Sequence, residues 1–476
     1  METRILLLVS LFIYSASCWA SEDAAVSIHV SETGQLESLL GERINSIESL
    51  TVTWGPIDAT DFKTILKASL YGQLVSVNLK EVTVIDNKIP DWAFYDVNLQ
   101  AHGQYVRLLP LRKIILPDNI ESIGQYAFTY TMLEDITLPS SLKSLGVGSF
   151  QNCQHMRMDK FVVPEGITEI PFQCFKNNRG VKEFVLPTTI RSIDGLAFDD
   201  ARMERINFPD GLESIGINAL QGCELLSEAI LPNSCTDIQT HAFYMCYNLE
   251  KMRLPETLAV IPSNLAVFSA LTEISIPKMA KEIDEFAFGF CERLSSVKIP
   301  EGLEKIASYA FLNCNLESIK LPSTLSMLGS ACLKGTKGDV YALPQNPPLC
   351  TGPELPFDIE SDPDKTLYVP MGTSEAYRAA WGWSDFKNIV ETDFAFMSGK
   401  DEMETDTRDG SIDITTSDGC IEINASGRRY GRYIISTMDG RIIAEGDIKQ
   451  SKTTINVTQG LYVVSAANAT RKVAVH

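Results

Sequence analysis

Ten prolines, each preceded by an apolar residue, fall at positions 117, 139, 164, 187, 209, 232, 255, 277, 300 and 322, in steps of 22 to 25 residues. This beat constrains the fold more than any other feature of the chain. A period of 20–50 residues means one supersecondary unit that cannot bury its apolar side alone and is stacked on copies of itself. At 476 residues the chain is too long for one ordinary core, and stacking removes that limit by drawing the core out along an axis.

Reading outward from each proline gives the cross-section of one turn. The residue one before it is apolar, from Leu116 to Leu321. Three before it stand Ile114, Ile136, Phe161, Phe184, Ile206, Ala229, Met252, Ile274, Val297 and Ile319. Six before it the series runs from Leu111 to Leu316, and six after it every residue is Ile or Leu. Eleven after it Phe recurs, at 128, 150, 175, 198, 243, 288 and 311. Alternation at three and one before the proline is a period of two, which predicts a very short strand. Proline cannot donate to a ladder, so it belongs at the strand's end. The rest of each turn must return the chain to the same side. The expected fold is a solenoid of parallel strands, whose returns hold turns, short extended pieces and an occasional helical turn.

The segment Ile114-Ile-Leu-Pro-Asp-Asn-Ile-Glu-Ser-Ile-Gly-Gln-Tyr-Ala-Phe128 resembles the BspA-like leucine-rich repeats of bacterial surface proteins, and the resemblance runs over about residues 74–395. It implies a curved solenoid that works by binding, with adhesion to host proteins or other cells as the family's role. Atypical end turns are expected in such an array. Residues 21–73, with helical spacing over Asp61–Leu70, are assigned to the N-terminal cap, and Leu367–Tyr377 and Trp383–Val390 to the closing cap.

The termini carry different grammar. Ile5–Tyr14 is an apolar run too short to span a bilayer. It is followed by small residues, so residues 1–20 are expected to be a signal peptide cleaved after Ala20. Lipid attachment at Cys18 is the alternative. No later segment reaches transmembrane length. Residues 396–410 read as an acidic linker. Residues 411–476 read as a small β-sandwich-like domain, with Asp439-Gly440 between apolar runs as a hairpin signal. Met438-Asp-Gly-Arg441, Thr454-Ile-Asn-Val457 and Gly460-Leu-Tyr-Val-Val464 resemble a type IX secretion sorting domain, although no Leu-Pro precedes the glycine and the chain ends on His476. That resemblance implies surface attachment through C-terminal processing. An ordinary β-module is the other reading.

Eleven cysteines suggest bridges or metal until they are placed on the repeat. Cys153, Cys223, Cys246, Cys291 and Cys314 lie fourteen after their proline, Cys174 and Cys332 ten after, and Cys235 three after. A small apolar thiol filling a buried turn is the economical expectation. Disulfides between Cys223 and Cys246 or Cys291 and Cys314, one turn apart, stay open. No Cys-x-x-Cys exists, and His29, His102, His155, His241 and His476 are scattered. With no nucleophile elbow, phosphate loop or dinucleotide fingerprint, neither an enzyme, a cofactor nor a metal is expected. Thr405–Gly410 lacks the regular oxygen ligands of a calcium loop. A net charge of −20 argues against nucleic acid.

What remains is surface. The residues four before the proline, Lys113, Asp135, Lys160, Glu183, Arg205, Glu228, Lys251 and Glu273, alternate in sign and read as a charge ladder along the stack. Those two before it, Ile115, Thr137, Val162, Val185, Asn207, Ile230, Arg253, Ser275, Lys298 and Lys320, begin apolar and turn basic, a trend carried by Ile115, Val162, Val185, Ile230, Arg253, Lys298 and Lys320. These seven form the candidate binding face for a protein partner, or for a glycan if the chain belongs to a polysaccharide-uptake system.

Overall fold

In the computed structural model the described residues are 24–96, 108–359 and 361–394, and in the C-terminal part 412–417, 420–425, 432–437, 442–447, 452–458, 460–466 and 469–475. The signal segment, the acidic linker with its Thr405–Gly410 stretch, and His102 lie outside them. The chain divides into two compact units. The first ends at Val390, and the second begins at Glu391 and takes in Pro370–Gly372.

The first unit is the solenoid. Most turns contribute a strand of two or three residues just before the proline, and neighbouring ones pair in parallel, as in Phe161–Val162, Glu183–Val185 and Arg205–Ile206, while the Pro139 turn has only the bridge of Asp135 to Lys113. The predicted alternation holds, with Phe184 buried between Glu183 and Val185, which reach solvent. The segment assigned as a cap continues this first ladder. Ala25–His29 and Ser49–Ile57 pair in parallel with each other, and the second of them with Ser76–Asn78. Its return is helical, over Ala59–Leu70, where Asp58 and Asp61 close a capping box.

The returns hold the expected turns and short extended pieces, with a helical turn at Ile85–Asn87 before the regular copies, but they are not merely connectors. The residues five and six after each proline form a second parallel ladder, including Ser192–Ile193, Ser214–Ile215 and Asp237–Ile238. A third ladder follows. From the Pro117 turn through the Pro300 turn, the N–H groups nine, eleven and thirteen after the proline donate to carbonyls of the next turn. Leu196 N to Ile217 O (3.0 Å), Phe198 N to Ala219 O (2.8 Å) and Asp200 N to Gln221 O (2.8 Å) are one such set. Two tight turns per repeat make this possible, and they place the ninth and thirteenth residues at positive φ in every copy. Leu196 and Asp200 (both φ 57°) stand where other copies carry Gly148 (58°) and Gly222 (69°). For residues other than glycine this conformation costs about 1–2 kcal/mol each, offset by the three ladder bonds it aligns.

Between the ladders runs one continuous apolar core. Its axis is the phenylalanine slot: Phe94, Phe128, Phe150, Phe175 and Phe198 stack ring on ring at 5.1, 5.2, 5.6 and 5.4 Å. The closing segment buries Tyr377 and Trp383, whose polar ends donate to the Pro344 and Pro348 carbonyls.

The second unit is all-β, with antiparallel sheets of three and four strands. Ile414, Ile421 and Ile423 from one sheet share a core with Ile435, Tyr462, Val464 and Val475 from the other. Arg432–Thr437 and Ile442–Asp447, which flank Asp439-Gly440, pair antiparallel. Among the described residues no helix is long and apolar enough to cross a membrane.

Candidate binding face

The outward row of the first ladder is set by strand register. Val162 lies opposite Val185, and Ile230 opposite Arg253. Lys298 lies opposite Ser275 on the preceding strand, and Ile115 opposite Asn78. Val162 is 57% exposed and Ile115 38%, Arg253 and Lys298 are exposed, and Val185, Ile230 and Lys320 are half-buried. The seven candidates thus occupy one outward row, though only Val162 with Val185 and Ile230 with Arg253 are direct cross-strand neighbours.

Beside this row the alternating charges are linked in part. Glu183 pairs with Lys160 on one neighbouring strand (3.1 Å) and Arg205 on the other (3.2 Å). The two cations hold the Glu183 carboxyl below its ordinary range. One residue earlier in the turn, Arg112–Glu134 (3.0 Å) and Asp159–Lys182 (2.8 Å) do the same work, so the ladder is two rows wide.

One member of the face escaped the proline count. Lys320 lies opposite Tyr341, and Tyr341 opposite Tyr368, whose ring stacks on it at 4.8 Å and 8°. Tyr341 is three before its proline rather than two, a one-residue offset that hides it in the inward slot. Asn207, on the row by its count, turns its side chain to the backbone. Its side chain accepts from Leu186 N (2.7 Å) and donates to Leu186 O (2.9 Å), replacing a peptide group in the ladder.

The cysteines are free thiols, and their role is more specific than filling space. In the slot fourteen after the proline, Cys153 Sγ donates to Phe128 O one turn back (3.0 Å), Cys223 to Phe198 O (3.3 Å), Cys246 to Leu220 O (3.3 Å), Cys291 to Ala266 O (3.1 Å) and Cys314 to Phe288 O (3.2 Å). Asn178 Nδ2 does the same to Phe150 O (2.7 Å). The slot takes a small buried side chain, as expected, and where that side chain has a donor it is aimed at a carbonyl; Ala201 fills the same slot without one. Burial pushes the thiols of Cys153 and Cys246 up to about 12, so they carry no thiolate chemistry at neutral pH. Among the described residues, no three His, Cys, Asp or Glu side chains are placed to hold a metal ion.

Comparison with known proteins bears on the repeats alone. Residues 104–227, 155–269 and 266–346 match the BspA type leucine rich repeat region (6 copies). No curated protein matches the chain. Among solved structures it is similar to a leucine-rich repeat protein from Bacteroides ovatus, at 19% identity over 67% of this chain and 84% of that one, with a TM-score of 0.40. A leucine rich cell surface protein from Faecalibacterium prausnitzii is similar at 21% identity over 64% and 86%, TM-score 0.36. A leucine-rich repeat protein from Eubacterium ventriosum follows at 20% over 61% and 91%, TM-score 0.36. The repeat matches cover more than half of the 476 residues, and the chain belongs to the BspA-type leucine-rich-repeat family.

Proposed function

We propose that this protein is exported to the bacterial cell surface or secreted, and that it binds protein partners through the outward row of its first ladder without chemistry of its own. The observation that carries the reading is the register that holds Val162 opposite Val185 and Ile230 opposite Arg253, an apolar-to-basic surface on a rigid scaffold. Exposed apolar side chains gathered in one place mark partner sites more often than idle surface. Export rests on the signal-like segment 1–20, with the C-terminal module as the means of surface attachment, by the type IX route its motifs resemble. Adhesion to host proteins or other cells is the role that fits.

The test is capture of extracellular matrix proteins by the mature chain and by Val162→Asp/Val185→Asp. Loss of at least tenfold in affinity with an unchanged melting temperature is expected. Undiminished capture by the double variant would sink the reading. Glycan binding is the second reading, favoured by Tyr341 and Tyr368 at one end of the row. Their ring faces are turned on each other, however, which leaves less face for a sugar ring. A glycan array decides between the two.

A further inference from the structure

The second ladder is interrupted, and the interruption has a cause in the sequence. In an intact turn the residue seven after the proline donates its N–H to the carbonyl six after the proline one turn back: Gln239 N to Ile215 O (2.9 Å), and Asp284 N to Ile261 O (2.9 Å). In the turn between these two, that position is Pro262, which has no N–H. No main-chain hydrogen bond joins residues 236–238 to 259–262, and the ladder ends at Asp237–Ile238 and restarts at Val260–Ile261. The same two turns stay tied on the third ladder, where His241 N donates to Ser263 O (3.2 Å). They therefore part on one side only, and a cleft of about 560 Å³ opens there, within the roughly 300–1,000 Å³ of small-ligand sites.

The cleft is acidic and holds freed backbone groups of both kinds. Two of its hydroxyls are used: Ser263 Oγ donates to Asp284 Oδ2 (2.8 Å), and Thr240 Oγ1 to Ser263 O (2.8 Å). The missing rungs leave the main-chain carbonyls of Thr236 and Ile238 as acceptors and the N–H groups of Ala259 and Val260 as donors. The carboxylates of Asp237 and Asp284 join them at the lining. Opposite stand apolar walls, with Ile217 50% and Val260 44% exposed. A ligand that satisfies all of this has several N–H donors, a positive charge, an apolar stem and a carbonyl to accept from the freed N–H groups. An arginine residue in a peptide is that group: its guanidinium fork serves carboxylates and carbonyls together, its three methylenes meet the apolar wall, and its own peptide carbonyl accepts from the backbone. The net charge of −20 favours approach of a cation.

We propose that the cleft opened at Pro262 is a docking site for an arginine side chain of a partner protein. It lies on the second ladder and is independent of the outward row on the first.

The test titrates the mature full-length chain with acetyl-Leu-Arg-Leu-amide, acetyl-Leu-Gln-Leu-amide and spermidine, read by chemical-shift perturbation and calorimetry. The arginine peptide is expected to bind at least tenfold more tightly than the other two. Asp237→Asn and Asp284→Asn should each weaken it at least tenfold. Pro262→Ala, which restores the N–H and lets the ladder close, should remove binding. Val162→Asp/Val185→Asp should leave it unchanged, which separates failure here from failure of the first-ladder reading. Absence of binding, equal binding of the glutamine peptide or of spermidine, or indifference to Asp237→Asn overturns the proposal. Circular dichroism checks each variant's fold, and if Pro262→Ala misfolds, the Asp237→Asn result alone decides.

Discussion

The second and third ladders run through the same turns, yet one is cut and the other is not. The second is broken where Pro171 and Pro262 take the position seven after the repeat proline, so that its three sections end at Ser144–Leu145 and Asp237–Ile238. The third runs unbroken from the Pro117 turn through the Pro300 turn. Two of its three donors per turn sit at positive φ, which a pyrrolidine ring locked near −65° cannot adopt. The conformation that burdens the third ladder therefore also shields it from proline. The second ladder, built on backbone that proline tolerates, has no such protection, and its gap at Pro262 is where a cleft forms.

The comparison can be broken most sharply by Asp200→Pro. A third-ladder donor is lost, and a φ of 57° is forbidden to the new residue. A loss of at least about 3 kcal/mol is expected, read by denaturant unfolding. Gln239→Pro makes the same substitution in the second ladder. It removes only the bond to Ile215 O and should cost about 1–3 kcal/mol, with faster amide exchange confined to the neighbouring rungs. If the two variants cost the same, the distinction between the ladders is wrong.

Smaller effects sharpen the picture of the returns. Cys153→Ala removes a donor to Phe128 O and should cost about 1 kcal/mol, with Cys153→Ser recovering part of it. In the native protein at pH 8, Cys153 and Cys246 should resist iodoacetamide and label only after unfolding, as thiols held near 12 by burial would. Rapid native labelling in a mass-spectrometric time course would contradict the buried slot. Gln173→Gly, at φ 58°, should stabilise by up to about 1 kcal/mol, the relief of positive φ exceeding the added chain entropy.

Much of this molecule was legible because stacking repeats the same demand. The phenylalanine that recurs eleven after the proline, the apolar pair before it and the Asp61–Leu70 helix stand where their spacing put them. The cysteines fill buried turns as expected, but their contacts with carbonyls one turn back were not legible, since burial alone does not distinguish an apolar filler from a small donor. The thirteenth position carried a signal in Asn152, Asn177, Asp200, Gly222 and Asn313, types that tolerate positive φ, whereas at the ninth Tyr126, Gln173, Leu196, His241 and Phe286 share no chemistry, only a backbone angle. Tyr341 was hidden by a one-residue change of register near the end of the array.

The sequence by itself determined the period, the inward residues and the outward row, because each depends on alternation within a few neighbouring positions. Only the tertiary structure decided that the returns carry two further ladders, that the thiols point at carbonyls one turn back, and that Pro262 opens a cleft. Those features depend on which atoms of one turn meet those of the next, some 22 residues away. A hydrogen bond is won or lost over a few tenths of an ångström, and spacing along the chain does not fix distance at that scale.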